Sequence, residues 1–216
     1  AFGIPIVSGN ASLYNQSAGT DIFPTPIIGS LGLLEDVEKH STAGFKSDGD
    51  LIVLLGTDSP WDEIDGFAGS EYLDLIHGKV EGQPKLDLDL EVRTQTVCRM
   101  AVASGIVASG HDVSDGGLAV AITESAVIGG IGATITATPG DRWDAAMFGE
   151  SQSRIVVSVA AADLSKLELL AGEGDVPMGV IGTVGGDSLR FGDSISIPVA
   201  DADNAWKNGF SLATSD

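Results

Sequence analysis

The run Leu51-Ile52-Val53-Leu54-Leu55 contains no polar side chain. Side chains on a strand alternate between two faces, so a run that is apolar at every position needs both faces covered. A chain carrying such a run has to supply packing layers above and below a sheet. Arg154-Ile155-Val156-Val157-Ser158-Val159 has the same character and is the clearest strand in the sequence.

Periodicity and breakers place the remaining elements. Helices are predicted over 70–77, 87–104, 116–128, 143–148, 164–170 (closed by Gly172) and 202–206. Strands are predicted over 4–8, 26–34, 105–109, 133–137, 178–184, 188–191 and 194–199. Helices separate most strands, which predicts an α/β or α+β domain with a mixed sheet. The polar stretch 35–50, with Gly44 and Gly49, is the candidate domain boundary.

Composition narrows the class of molecule. With 216 residues, 43% hydrophobic and 19% charged, the chain has the make-up of a globular core. No apolar run approaches the roughly 20 residues that cross a bilayer. The N-terminus Ala1-Phe2-Gly3-Ile4 has neither an initiator Met nor a positive n-region, and reads as the middle of a longer chain. Cys98 is the single cysteine, so no internal disulfide forms, and the thiol fits a reducing cytosol. The net charge of −20 argues against nucleic acid and anionic membranes as partners. The acid is spread along the chain as a solvated surface, and it also matches adaptation to high salt.

Three polar clusters are candidates for chemistry. In Ser8-Gly9-Asn10-Ala11-Ser12-Leu13-Tyr14-Asn15, a glycine after a predicted strand allows close backbone approach to a ligand. The neutral oxygens of Asn and Ser suit magnesium or a phosphate oxygen. On physics alone, a turn with Asx and Ser capping bonds is the simpler account. In His111-Asp112-Val113-Ser114-Asp115-Gly116-Gly117-Leu118, the glycines open a helix whose free N–H groups face the preceding loop. Asp112 and Asp115 are candidate magnesium ligands, while Ser114 or Asp115 acting as a plain N-cap is the alternative. His111 reads as a hydrogen-bonded structural residue, and His40 and His77 lack zinc-ligand spacing with it. Phe148-Gly149-Glu150-Ser151-Gln152-Ser153-Arg154 precedes the strongest strand as either a binding edge or an ordinary loop with an exposed Arg–Glu pair. Walker, Gly-x-Gly-x-x-Gly and Gly-x-Ser-x-Gly signatures are absent, as is a cysteine with a base partner.

Taken in order, these clusters resemble the formylglycinamidine ribonucleotide synthase family. Pro24-Thr25-Pro26-Ile27-Ile28-Gly29 and Gly69-Ser70-Glu71-Tyr72-Leu73 belong to the same series, and the match spans about residues 1–200. The family sits in a superfamily with aminoimidazole ribonucleotide synthetase, selenophosphate synthetase, thiamine-monophosphate kinase and a hydrogenase maturation factor. The resemblance implies an aminoimidazole ribonucleotide synthetase-like C-terminal domain, a mixed sheet flanked by helices. It implies that residues 1–35 end a second N-terminal-type, ATP-binding domain and that residues 36–216 form the second C-terminal-type domain.

The implied enzyme is a cytoplasmic carbon–nitrogen ligase of purine biosynthesis. It joins formylglycinamide ribonucleotide, ATP and glutamine-derived ammonia to give formylglycinamidine ribonucleotide, ADP and phosphate. Implied cofactors are Mg2+ and ATP, and implied partners are the missing N-terminal half and a glutaminase subunit or domain. Gly9 is implied to touch ATP, Asn10 to bind magnesium and Ser12 to contact the ribonucleotide. The resemblance assigns no catalytic residue to this chain, which alone is expected to be inactive. The second and third clusters resemble pseudo-symmetric counterparts of substrate-binding elements in the family's first half. Gln16 departs from the Glu of many relatives, and Ala11 from a common Val. A non-catalytic structural or nucleotide-binding module, or a related superfamily member such as the aminoimidazole synthetase, are the alternatives.

Overall fold

The computed structural model describes residues 1–10, 15–22, 25–57, 64–136 and 142–214. They fall into two compact units, Ala1–Glu38 and Lys39–Asp216. In the first, β1 (Gln16–Ser17) and β2 (Thr20–Asp21) form a minimal antiparallel hairpin. Its turn residues Ala18 and Gly19 both have positive φ, 51° and 84°, the geometry of a twisted two-residue hairpin loop. Gln16 Nε2 donates to Asp21 Oδ1 across this hairpin at 3.4 Å. The strands expected over 4–8 and 26–34 are not formed. A strand exists only where a neighbour takes up its backbone groups, and Ile6, Ile27 and Leu31 are 93%, 94% and 99% exposed.

The second unit is built on a seven-stranded sheet. In chain order it comprises β3 (Leu51–Leu55), α1 (Glu71–His77), α2 (Leu88–Ala103), β4 (Val107–Asp112), α3 (Gly117–Gly129), β5 (Ala133–Ile135), α4 (Trp143–Phe148), β6 (Ile155–Val159), α5 (Leu164–Glu173), β7 (Met178–Val184), β8 (Ser188–Phe191), β9 (Ile195–Pro198) and α6 (Val199–Ala213). Short 3-10 turns cover Ile64–Phe67 and Ala161–Asp163. The strand order is β4-β6-β3-β7-β5-β8-β9. Every pairing is antiparallel except β5 with β8.

The alternation along β3 assigns each residue to a layer. Ile52 and Leu54 pack with Val156 and Ile181 against Leu118 and Ile122 of α3, Met147 of α4 and Ala202 of α6. Val53 and Leu55 pack with Val157 and Val159 against Val97 and Ala101 of α2 and Leu167 and Ala171 of α5. The expected two-sided cover is therefore present, with β3 central in a helix–sheet–helix sandwich. Each fully buried Leu or Ile contributes about 1.5–3 kcal/mol.

Local chemistry sets the helix limits. Asp87 caps α2 by accepting the N–H groups of Asp89 and Leu90 at 2.9 and 3.0 Å. Thr94, Val97 and Ala101 form its buried stripe. Ser70 caps α1 through Leu73 N–H at 3.2 Å. α6 is longer than the expected 202–206, because Lys207 pairs with Asp203 one turn back at 2.7 Å and Pro198 fixes its start. At one sheet edge, β4 meets a bridge from Thr42 to Ser109. At the other, β9 ends in Pro198 and passes directly into α6.

Candidate functional site

The second and third polar clusters converge on Glu150. Its Oε1 accepts the N–H of Gly116, at the start of α3, at 2.8 Å. The same oxygen accepts the N–H of Glu71, at the start of α1, at 2.9 Å. The Glu150 N–H donates to the carbonyl of Gly66 at 2.7 Å. One carboxylate thus joins two helix starts and the 3-10 turn, and its charge complements the positive ends of the helix dipoles. The expected capping of α3 by Ser114 or Asp115 does not occur: Gly116 holds the cap position with φ 79° and no side-chain bond. Glu150, distant in sequence, meets that need instead.

Arg154 braces the loop from beneath. It is buried, and its guanidinium donates to the carbonyls of Ser151 and Gly149 at 3.1 and 2.6 Å. A ring stack braces it from the side. Tyr72 lies between Phe67 and Phe148 with centroids 5.2 and 5.1 Å away and planes within 15° and 13°. Gly66 permits the close approach of the loop, since a Cβ there would sit 2.5 Å from Ser151 Oγ. Arg142, over the Phe67 ring, forks onto Asp144 at 2.9 and 3.0 Å and holds that carboxyl below its ordinary value.

Between this loop and the segments before α2 lies a cleft of about 260 Å³, lined by Asp65, Gly66, Ala68, Pro84, Lys85, Asp87, Leu90 and residues 150–153. Lys85 pairs with Asp65 within it. Ser151 Oγ and Ser153 Oγ are buried without a hydrogen-bond partner. The sequence marked the Gly-Glu-Ser-Gln-Ser-Arg segment but not the wall facing it, residues 65–68 and 84–90, which carries no motif of its own.

The other expected residues lie elsewhere. Gly9 and Asn10 belong to the first unit, are exposed and carry no regular structure. No atom lies within 4 Å of a Cβ built on Gly9, so the described residues show no close approach there. Ser12 lies outside the described residues. His111 is structural: its Nε2 is 3.1 Å from Glu124 Oε2 and its Nδ1 is 2.7 Å from the Asp112 carbonyl. Asp112 and Asp115 are exposed, and no group of three or more His, Cys, Asp or Glu able to hold a metal occurs among the described residues. Burial pushes the Cys98 thiol up, in keeping with an unreactive residue.

The sheet order, with helices on both faces and a loop–helix junction pinned by Glu150, invites comparison with known proteins. The family model described as AIR synthase related protein, C-terminal domain, matches residues 47–192. The chain belongs to this family. The phosphoribosylformylglycinamidine synthase subunit PurL of Anaeromyxobacter sp. (strain Fw109-5) is 43% identical over 221 aligned residues, covering 97% of this chain and 28% of that protein. The solved structure of T. maritima PurL complexed with FGAR has a TM-score of 0.64 at 20% identity, covering 77% of this chain and 30% of that one. T. maritima PurL complexed with ATP has a TM-score of 0.59 at 17% identity, covering 77% of this chain and 28% of that one. The chain thus spans little more than a quarter of the length of these relatives. The motif resemblance to the synthase family is borne out by the PurL relatives, and the mixed sheet flanked by helices by the family and the neighbouring folds.

Proposed function

We propose that this chain is part of the ATP-dependent ligase that converts formylglycinamide ribonucleotide, ATP and glutamine-derived ammonia into formylglycinamidine ribonucleotide, ADP and phosphate. The observation that carries the reading is the 43% identity to a PurL subunit along 97% of the chain. In this reading residues 1–35 end an N-terminal-type nucleotide-binding domain and residues 36–216 are the C-terminal-type domain that follows in the chain. Gly9 approaches the nucleotide, Asn10 offers its amide oxygen to Mg2+ and Ser12 offers its hydroxyl to the ribonucleotide. The exposure of Gly9 and Asn10 supports this, since neither side is used in packing.

The donor set fits magnesium in a limited sense. Magnesium is commonly held by one or two carboxylates together with substrate phosphates and water, so Asn10 would add one neutral oxygen to a set whose carboxylates come from the rest of the enzyme. Bound there, the metal would neutralise phosphate charge as the amide oxygen is activated. Asn10 would orient that charge, and Ser12 would hold the acceptor in register with it. The remaining groups come from the rest of the enzyme, so the chain alone turns over nothing. A glutaminase supplies the ammonia, and the setting is cytoplasmic. No helix among the described residues is long and apolar enough to cross a membrane.

The test is Asn10→Ala and Ser12→Ala in the full-length enzyme. The expected result is a fall in kcat/KM of at least about tenfold for each, or ~1.4 kcal/mol of transition-state stabilisation. Unchanged turnover in both would remove the loop from the active site.

A further inference from the structure

Asparagine followed by glycine is chemically fragile wherever the backbone is free to bend, because a residue without a Cβ leaves its amide nitrogen open to the preceding side-chain carbonyl. Asn208-Gly209 is the one such pair in the sequence. It lies in the outer half of α6. The inner half is anchored, with Ala202 buried and Val199 packed against the same core as Leu118 and Ile122. From Asn204 to Ser211 every residue is exposed, Trp206 and Phe210 among them at 54% and 84%. The side-chain bonds of Lys207, Asn208 and Thr214 run to Asp203, Asn204, Phe210 and Ser211, all within the helix itself. No burial offsets the cost of ordering these residues, and helices held by local bonds alone are marginal in water. Gly209 is the poorest helix former short of proline and gives nothing back in packing, since no atom lies within 4 Å of a Cβ built on it.

In the closed helix the Gly209 N–H points back along the axis and away from the Asn208 side chain. When the outer turns open, that nitrogen can add to Asn208 Cγ. The N–Cγ bond forms, the Cγ–Nδ2 bond breaks, and Nδ2 leaves as ammonia with the proton that the Gly209 nitrogen gives up. Water then opens the resulting succinimide at either carbonyl, to aspartate or to its β-linked isomer. Water is the only co-reactant. We infer that Asn208 is a site of spontaneous deamidation, and that the reaction unwinds the outer half of α6. Aspartate there sets a negative charge near the helix C-terminus, where it opposes the dipole. The β-linked isomer inserts a carbon into the backbone and breaks the helical repeat. Asp48-Gly49 and Asp115-Gly116 could close the same ring, but the packed domain holds their nucleophiles. The Gly49 N–H is bonded to the Val184 carbonyl at 2.9 Å and the Gly116 N–H to Glu150 at 2.8 Å. The inference is independent of the ligase reading, because it needs only the exposure of α6.

The test is incubation of the 216-residue chain at mildly alkaline pH, well below its thermal midpoint, beside a synthetic peptide of residues 204–214. Peptide mapping by mass spectrometry follows the Asn208 amide and both acid products. The peptide gives the rate with no folded helix to open, so the ratio of the two rates reads the opening equilibrium. The chain should convert within about tenfold of the peptide rate, which corresponds to an opening free energy below ~1.4 kcal/mol. A slower rate in the chain would show that the outer turns are held, and would overturn the inference. Comparable isomerisation at Asp48 or Asp115 would also overturn it, because exposure would then not be what directs the reaction. Gly209→Ala crowds the nucleophile and favours the helix, and the space for its methyl is open. It should keep the circular dichroism of the parent and slow conversion at least about tenfold; undiminished conversion would count against the proposed ring closure. Hydrogen exchange over 204–214 should quicken in step with the converted fraction, and unchanged protection would refute the unwinding.

Discussion

Removing the Glu150 carboxylate should loosen two helices at once. The bond to Gly116 N–H at 2.8 Å is partly buried and charge-assisted, the kind worth about 1.5–3 kcal/mol. The bond to Glu71 N–H at 2.9 Å is more exposed and closer to about 0.5–1 kcal/mol. Glu150→Ala should therefore cost about 2–4 kcal/mol. Glu150→Gln keeps a neutral acceptor and should cost about half as much, since neutral hydrogen bonds are roughly half as strong. Urea unfolding at neutral pH measures both, and for a unit of this size each kcal/mol lowers Tm by about 2–4 °C. Hydrogen exchange supplies the specific readout: protection should fall at Gly116 and at Glu71 together. If Glu150→Ala lies within about 0.5 kcal/mol of the parent, the range of ordinary surface changes, the carboxylate is not what joins the two helix starts.

Asp50 supplies a pH test. It is buried with Oδ2 unpartnered, and desolvation pushes its carboxyl above the ordinary value. A raised acid pKa means that the folded state holds the proton longer, so this group's contribution to stability falls as pH rises from the ordinary carboxylate pKa through the raised one. Asp50→Asn should remove that decline and raise the urea midpoint at neutral pH; parallel pH profiles would refute the assignment. The charge of −20 predicts a further effect, that raising NaCl from about 0.1 to about 1 M increases Tm by relieving self-repulsion. A Tm that is flat or falling across that range would show that the acidic surface is not limiting stability.

How much of this was legible in sequence depended on where the deciding contacts lie. β3, β6, α4 and the strands after residue 178 follow from apolar runs and breakers that carry their own information. The strands expected over 4–8 and 26–34 failed because pairing is a property of two segments, and Ile4-Pro5-Ile6-Val7 shows only one of them. The α3 start misled for a related reason. Ser114 and Asp115 are sound local caps, but Glu150, 34 residues beyond Gly116, takes the position through tertiary folding. The Gly-Glu-Ser-Gln-Ser-Arg segment was visible as a polar strand entrance. That two of its hydroxyls would be buried unpaired depended on Gly56 and Gly66 crossing behind it, which no spacing encodes. The Asn10–Ser12 loop was a candidate on its oxygen donors, with ordinary turn chemistry the simpler account, and only the family resemblance gave Asn10 and Ser12 separate roles.

The margins of the seven-stranded sheet have a consequence for association. A strand with bare backbone groups along its side is a template on which another molecule can lengthen the ladder without limit. Here Gly110 N–H is already taken by the Thr42 carbonyl at 3.2 Å on one flank. On the other, a four-residue strand closes with a proline that has no hydrogen to offer. Growth by stacking edge to edge is thereby discouraged at both flanks, and contact between molecules is left to side-chain surfaces, where shape and charge can discriminate.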